Sequence, residues 1–159
     1  MKRKISIELY EEYEKVNFYT LRFQGEETEF DKFLDTYPEE SVFNDDVEII
    51  IRWIEKIGAK GAFERYFRPE GKFNDDLFAI PLDVCNLRVY VLRISERIVI
   101  LGNGGNKTTD TYNKDEILNS EATLLQKIGN LIKKSISNEK VHLYNGRIYG
   151  KTDFTIEIE

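Results

Sequence analysis

The chain has a single cysteine, Cys85, and a single histidine, His142. One cysteine excludes a disulfide within the chain and is typical of reducing compartments. One histidine and one cysteine cannot supply the ligands of a usual zinc site, and no carboxylate cluster has metal-ligand spacing. His142 lies between apolar residues in a predicted strand, which favours a structural role. We therefore predict no metal and no cofactor, so any catalysis must use Lys, Arg, Tyr and carboxylates.

Long hydrophobic runs are also missing from the sequence. No apolar stretch approaches the ~20 residues that a membrane-spanning helix requires. The basic start, Met-Lys-Arg-Lys, precedes alternating residues rather than an apolar segment, so we predict no signal peptide. The 159 residues, 41% hydrophobic and 33% charged, have the size and composition of one soluble domain. We predict a single cytoplasmic domain with no membrane partner.

Negative charge is concentrated in one segment of a chain whose formal net charge is −6. Residues 26–48, which we call the acidic block, carry many carboxylates and one cation, Lys32. The remainder of the chain is therefore net positive. An acidic chain is a poor general ligand for nucleic acid, because phosphate contacts supply most of that affinity. The uneven distribution weakens this objection without removing it.

Hydrophobic periodicity predicts an α+β domain with helices on one or more faces of a sheet. Thr28, with an acidic residue three positions later, predicts the start of a short helix. Apolar residues at helical spacing predict a second helix over residues 47–57 and a third over 124–136, the last capped by Asn119 or Ser120.

Alternating and turn-forming residues predict the strands of this domain. Residues 4–9 and 16–23 predict an N-terminal hairpin, and residues 75–82 predict a strand that Pro81 places at an edge or a bulge. The dipeptide Asn145-Gly146 predicts a tight hairpin near the C-terminus.

The stretch from Asn86 to Tyr112 has the most regular pattern of apolar and polar residues in the chain. It predicts two antiparallel strands, of which the second, with the apolar run 98–101, is more deeply buried. A polar loop over residues 102–109 should follow. Such a loop is either a platform for a site or an ordinary strand exit. It is not a typical phosphate-binding loop, because Asn106 stands where that motif requires glycine before Lys-Thr.

Several of these motifs resemble those of toxins of the RelE/HigB superfamily. In that family an Arg-apolar-apolar-Tyr strand precedes an apolar strand, a basic loop and a helix rich in Glu and Ala. The resembling residues here are 86–91, 97–101, 105–109, Tyr112 and Glu121-Ala122.

The resemblance covers residues 47–132 and implies an antiparallel RelE-like sheet with helices packed on it. The N-terminal hairpin and acidic helix, residues 1–46, would be additions to that core. The C-terminal hairpin, residues 138–159, would be another.

The resemblance also implies a function: mRNA cleavage on the ribosome by a toxin that a partner antitoxin protein silences. Metal-free cleavage through a ribose 2′-OH needs a base, an acid and a cation. By resemblance, Arg88 would steady the phosphate, Lys107 would be the loop cation and Tyr112 the tyrosine after the loop. The sequence departs from the family where Ala79 and Pro81 replace two strand lysines.

Further cations predict the rest of an RNA-binding surface. Arg65, Arg68 and Lys72 cluster among aromatic residues, and Arg93 lies on the central hairpin. Cations among aromatic rings can neutralise an RNA backbone and stack on its bases, although such a cluster is also typical of a solvated helix end. We expect Arg88 to lie near the surface, so that its replacement by alanine leaves the thermal midpoint almost unchanged.

The alternative hypothesis is a non-catalytic interaction protein. In that case the acidic block would be the recognition surface for a protein partner, and the RelE-like core would serve as its scaffold. Cleavage of RNA would distinguish the two hypotheses.

Overall fold

The computed structural model describes residues 1–70, 76–82, 85–106 and 116–158, without the side chains of 116–119. Within these ranges the chain is an α+β structure of three helices and nine strands. The elements in chain order are β1 (Lys2–Glu12), β2 (Asn17–Phe23), α1 (Glu29–Thr36), α2 (Asn44–Lys60), β3 (Arg68–Pro69), β4 (Leu77–Ile80), β5 (Leu87–Arg93), β6 (Ile98–Asn106), α3 (Glu116–Ser137), β7 (Val141–Tyr144), β8 (Arg147–Gly150) and β9 (Asp153–Glu157).

Seven of the described strands form one sheet in the order β3-β4-β5-β6-β2-β1-β9. The neighbours pair antiparallel, except that β2 runs parallel to β6, with Asn17 opposite Ile98 and Thr20 opposite Leu101. The predicted central hairpin, β5 with β6, is confirmed. The N-terminal hairpin is part of this sheet, whereas β7 and β8 form a small sheet of their own.

Two apolar cores cover the two faces of the sheet. On one face α1 and α2 pack through residues such as Phe33, Ile50 and Ile57. On the other face α3 packs together with β7 and β8, through residues such as Ile128 and Ile148. Because helices lie on both sides, every residue of β5 before Arg93 is buried. The expectation that β5 is less buried than β6 was therefore wrong.

The predicted polar loop over residues 102–109 is strand up to Asn106. Its glycines allow close approach of neighbouring elements. A Cβ on Gly104 would lie 1.7 Å from the Arg88 carbonyl oxygen, and one on Gly102 would lie 2.8 Å from a Leu125 methyl carbon. The glycine-rich composition thus reflects close packing against β5 and α3 rather than a loop. Residues 107–109 lie outside the described ranges.

Local signals placed two of the predicted boundaries well and one badly. The Thr28 side chain caps α1 by accepting a hydrogen bond from the Asp31 backbone N–H at 3.1 Å. Asn145 and Gly146 both have positive φ, as the predicted two-residue turn requires. In contrast, the predicted cap at residues 119–120 was wrong, because α3 runs without interruption from Glu116.

None of the helices in the described ranges is both long and apolar enough to cross a membrane.

One buried hydroxyl joins three of these elements. The Thr20 side chain on β2 is fully buried, donates to the Leu101 carbonyl on β6 at 2.7 Å, and accepts from the Phe30 N–H of α1 at 3.3 Å. Buried polar groups left without partners cost about 1–3 kcal/mol. The hydroxyl therefore stabilises the junction between the parallel strands and α1.

We expect Thr20→Val to lower the free energy of unfolding by about 1–3 kcal/mol in urea titrations. The matched control is Thr155→Val on the exposed face of β9, which should change it by no more than about 0.5 kcal/mol. Equal denaturation midpoints for the two variants would contradict this role of Thr20.

Candidate functional site

Arg88 lies at the end of β5 that faces the exit of β6. Residue pairing sets Arg88 opposite Gly105 and Leu87 opposite Asn106, after which Lys107 follows in the sequence. The guanidinium donates from Nη1 to Glu70 Oε1 at 3.1 Å, and both side chains are buried, at 10% and 8% exposure. The strand arginine therefore forms a buried ion pair.

A second guanidinium stands close to this pair. Arg68 on β3 pairs opposite Ala79 on β4, which in turn pairs opposite Tyr90 on β5. Burial lowers the pKa of Arg88, and the charge of Arg68 lowers it further, while Glu70 opposes both effects. Arg68 donates from Nη2 to the Leu82 carbonyl at 3.0 Å, but within the described residues its buried Nε has no hydrogen-bond partner. The charge of Arg68 therefore lies close enough to influence the Arg88–Glu70 pair.

The surface location expected for Arg88 was wrong. A half-buried strand pattern would leave the arginine in solvent, but α3 packs on the face of β5 that carries Tyr90 and Leu92, the face on which strand alternation places Arg88. Its ion-pair partner is Glu70. Lys107, Tyr112 and Lys72, the remaining predicted site residues on loops, lie outside the described ranges.

The three predicted RNA-binding arginines that the structure describes make different local contacts. Arg93 donates from Nε to the Ala62 carbonyl at 2.5 Å and lies 3.7 Å from Glu64, so it ties β5 to the segment after α2. Arg65 is exposed, and its guanidinium lies 4.7 Å from the centre of the Phe63 ring. Arg68 is half-buried, and its charge acts on Arg88. The three arginines therefore serve different local structures.

A carboxyl group that sequence analysis assigned only to a helix has unusual electrostatics. Burial raises the pKa of Glu121 to about 7, and the negative charge of Glu29 adds to the shift, while Lys32 lowers it. Glu29 is itself 3% exposed and lies 2.7 Å from the Lys32 Nζ. A carboxyl that exchanges protons near neutral pH can act as an acid or a base. Helical periodicity gave no sign of this property, because it depends on burial in the fold and on the charge of Glu29, which is distant in the sequence.

Some carboxylates of the acidic block form contacts within the fold. Glu26 contacts Arg3 and Lys32, and Asp46 accepts hydrogen bonds from the backbone N–H groups of residues 86 and 87. The acidic residues that stay exposed are Glu27, Asp35, Glu39, Glu40, Asp45 and Glu48. Among the described residues, no group of three or more His, Cys, Asp or Glu could hold a metal ion.

Comparison with known proteins identifies no relative of this chain: no family profile, no curated protein and no solved structure matches it significantly. The resemblance to RelE/HigB toxins therefore depends on the sequence motifs alone.

Loss of one partner of a buried ion pair should destabilise the protein strongly. We expect Arg88→Met to lower the free energy of unfolding by about 3–5 kcal/mol, because Glu70 would keep a buried charge without its cation. The double variant Arg88→Met/Glu70→Leu should recover most of that loss in urea titrations. If Arg88→Met unfolds at the wild-type midpoint, the pair is not buried in solution.

The raised pKa of Glu121 predicts the direction in which the free energy of unfolding changes with pH. The folded state binds an extra proton between the unfolded pKa, about 4.3, and the folded value of about 7, so this contribution is lost as pH rises through 7. Above pH 7.5 we expect Glu121→Gln to be more stable than wild type by roughly 2 kcal/mol, with the difference vanishing near pH 4.

The control for this profile is Glu48→Gln on the exposed face of α2, which should stay within about 0.5 kcal/mol of wild type. A constant difference between Glu121→Gln and wild type across this pH range would contradict the assignment.

Proposed function

We propose that the protein is a RelE/HigB-like toxin that cleaves mRNA on cytoplasmic ribosomes without a metal, and that an antitoxin protein silences it. The order of elements supports this proposal. Two helices, α1 and α2, precede the strand β4, and the β5–β6 meander and α3 follow. This is the order of helices, strand, meander and helix on which the resemblance depends.

The observation that carries the proposal is the pairing of β5 with β6. Arg88 stands opposite Gly105, next to the end of the described part of β6. Lys107 and Tyr112 follow that end in the sequence. Arg88 therefore lies close to Asn106, after which Lys107 follows in the sequence, and we propose that the two cations act together at this end of the sheet. An active site for phosphate chemistry needs such a meeting of cations.

Arg68 supports the site in a second way. In the resemblance, Ala79 stands where the family has a strand lysine, but in this structure Arg68 pairs directly opposite Ala79. Residues opposite each other on neighbouring strands project to the same face. Arg68 thus supplies a cation at a position from which the family's cation is missing.

Glu70 then occupies the place that a phosphate takes during the reaction. An RNA phosphate would replace the carboxylate as the acceptor of the Arg88 hydrogen bond, since both are anions with oxygen acceptors. The planar guanidinium would stabilise the charge that develops as the 2′-OH attacks the phosphorus. Tyr112 remains the proposed acid–base group.

The second candidate function is protein binding by the acidic block. The observation that favours it is Val42, which is 93% exposed between acidic residues that also stay in solvent, Glu40 and Asp45. The carboxylates around this side chain repel RNA phosphates, so the segment suits a protein contact better than an RNA contact. Protein binding is favoured over mRNA cleavage if mRNA stays uncut and if reversal of the exposed acidic charges abolishes capture of a protein partner.

The test is cleavage of mRNA in a translating extract, read as cut sites by primer extension. The informative pair is Glu70→Gln, which keeps Arg88, and Arg88→Gln/Glu70→Gln, which removes both charges together. We expect the first variant to cleave within a few-fold of wild type and the second to be slower by about 10²-fold, the scale of losing an anion stabiliser.

The control is Arg22→Gln, which removes a strand arginine whose partner is Glu8, 2.9 Å away on β1. It should cleave like wild type. Equal cleavage rates for the single and double variants would show that Arg88 is not part of the active site. Uncut mRNA with wild-type protein would exclude the toxin function.

A further inference from the structure

The outer face of the β7–β8 hairpin presents a cluster of rings and a cation. His142 pairs opposite Tyr149, and Tyr144 pairs opposite Arg147, so the four side chains share one face. The opposite face carries Val141 and Ile148, which are buried in the core. We call the outward set the hairpin platform: His142, Tyr144, Arg147 and Tyr149.

The three rings of the platform are exposed to solvent. Tyr144 is 74% exposed, Tyr149 is 48% exposed, and His142 lies in solvent. Across the described residues, none of the three rings stacks on another ring or forms a side-chain hydrogen bond. Arg147 pairs with Glu12 at 2.9 Å, at the surface, where such a pair is worth little. The fold therefore gains little from these side chains.

The hairpin that carries them is firmly attached to the domain. Asn17 Nδ2 donates to the Gly146 carbonyl at 2.7 Å, and the Ile148 N–H donates to the Tyr19 hydroxyl at 3.0 Å. The turn is thus anchored to β2 in the main sheet. Rings on a rigid strand pair are arranged for contact before a ligand arrives, which lowers the entropy lost on binding.

The charge around the platform suits a polyanion. Residues 139–151 carry three cations and one carboxylate, and Glu12 places a second carboxylate 2.9 Å from Arg147. Arg97 adds a further cation, since its Nη1 donates to the Asn145 side chain at 2.8 Å. Single-stranded RNA combines a backbone that cations neutralise with bases that stack on aromatic rings.

We propose that the hairpin platform binds single-stranded RNA, with Tyr144 and Tyr149 stacking on bases and the surrounding cations contacting phosphates. This site lies at the far end of β6 from Arg88: Arg97 precedes the first residue of that strand, and Gly105 lies near its end. At ~3.3 Å per residue the two ends are roughly 25 Å apart. The choice of RNA as ligand rests on the proposed function, but the platform would hold a part of the strand distant from the cut.

The test is fluorescence anisotropy with a labelled oligouridine of about 12 nucleotides, 2′-O-methylated so that it cannot be cleaved through its 2′-OH. We expect Tyr144→Ala/Tyr149→Ala to weaken binding at least about tenfold, because stacking is lost. Tyr144→Phe/Tyr149→Phe should bind like wild type, since the ring face and not the hydroxyl makes the contact. Lys140→Ala/Lys151→Ala should reduce the salt dependence of binding.

The matched control is Tyr37→Ala, which removes a tyrosine of the acidic block that contacts Phe33 and Phe43. It should leave the affinity unchanged. The proposal is overturned if the alanine pair at the platform binds as tightly as wild type, or if that pair loses capture of a protein partner while keeping RNA affinity.

These experiments test RNA binding by the platform and cleavage of mRNA separately. RNA bound at the platform by a protein that leaves mRNA uncut would support the platform and exclude the toxin function. Cut mRNA together with unchanged binding by the alanine pair would support the toxin function and overturn the platform.

Discussion

Burial of β5 and β6 on both faces is the constraint on which the rest of this structure depends. Helices α1 and α2 cover one face, and α3 with the small β7–β8 sheet covers the other. Strands enclosed in this way must be apolar or must pair every polar group that they carry. Arg88 on β5 meets that requirement with a carboxylate, and Thr20 on the neighbouring strand β2 meets it with two hydrogen bonds.

The buried Arg88–Glu70 pair is weak evidence for stability. Removing two charges from water costs about as much as their attraction returns, and apolar residues of similar volume often serve as well. Arg68 makes the arrangement less favourable still, because it brings a second positive charge near the first. An apolar core would need none of these groups. The proposed function gives these charged groups a role, since an external anion could bind the two arginines.

Features set by a few neighbouring residues could be predicted from the sequence. The Thr28 cap, the turn at Asn145 and Gly146 and the antiparallel pairing of β5 with β6 all follow from local patterns. Helical periodicity also located the core of α2. The full length of α3 did not follow, because polar residues in its first turns resembled a cap.

Features that depend on distant parts of the chain could not be predicted. Gly102 and Gly104 resembled a loop, since nothing in the local sequence shows that β5 and α3 approach them so closely. For the same reason Arg88 was placed in solvent, and the raised pKa of Glu121 was missed. At the candidate site the sequence identified Arg88 and Arg68 but neither their burial nor Glu70. The roles of Lys107, Tyr112 and Lys72 stay predictions.

The central claim is that the Arg88 guanidinium exchanges Glu70 for an RNA phosphate. Nitrogen-15 NMR of the arginine side chains tests it most directly, with the Arg88 Nε–H resonance assigned by substitution and followed during titration with an uncleavable 2′-O-methyl RNA. The account predicts that the chemical shift of this resonance changes as RNA is added. The titration curve should saturate and give the dissociation constant of the complex. An Arg88 resonance that stays fixed at saturating RNA, while those of Arg97 and Arg147 move, would contradict it.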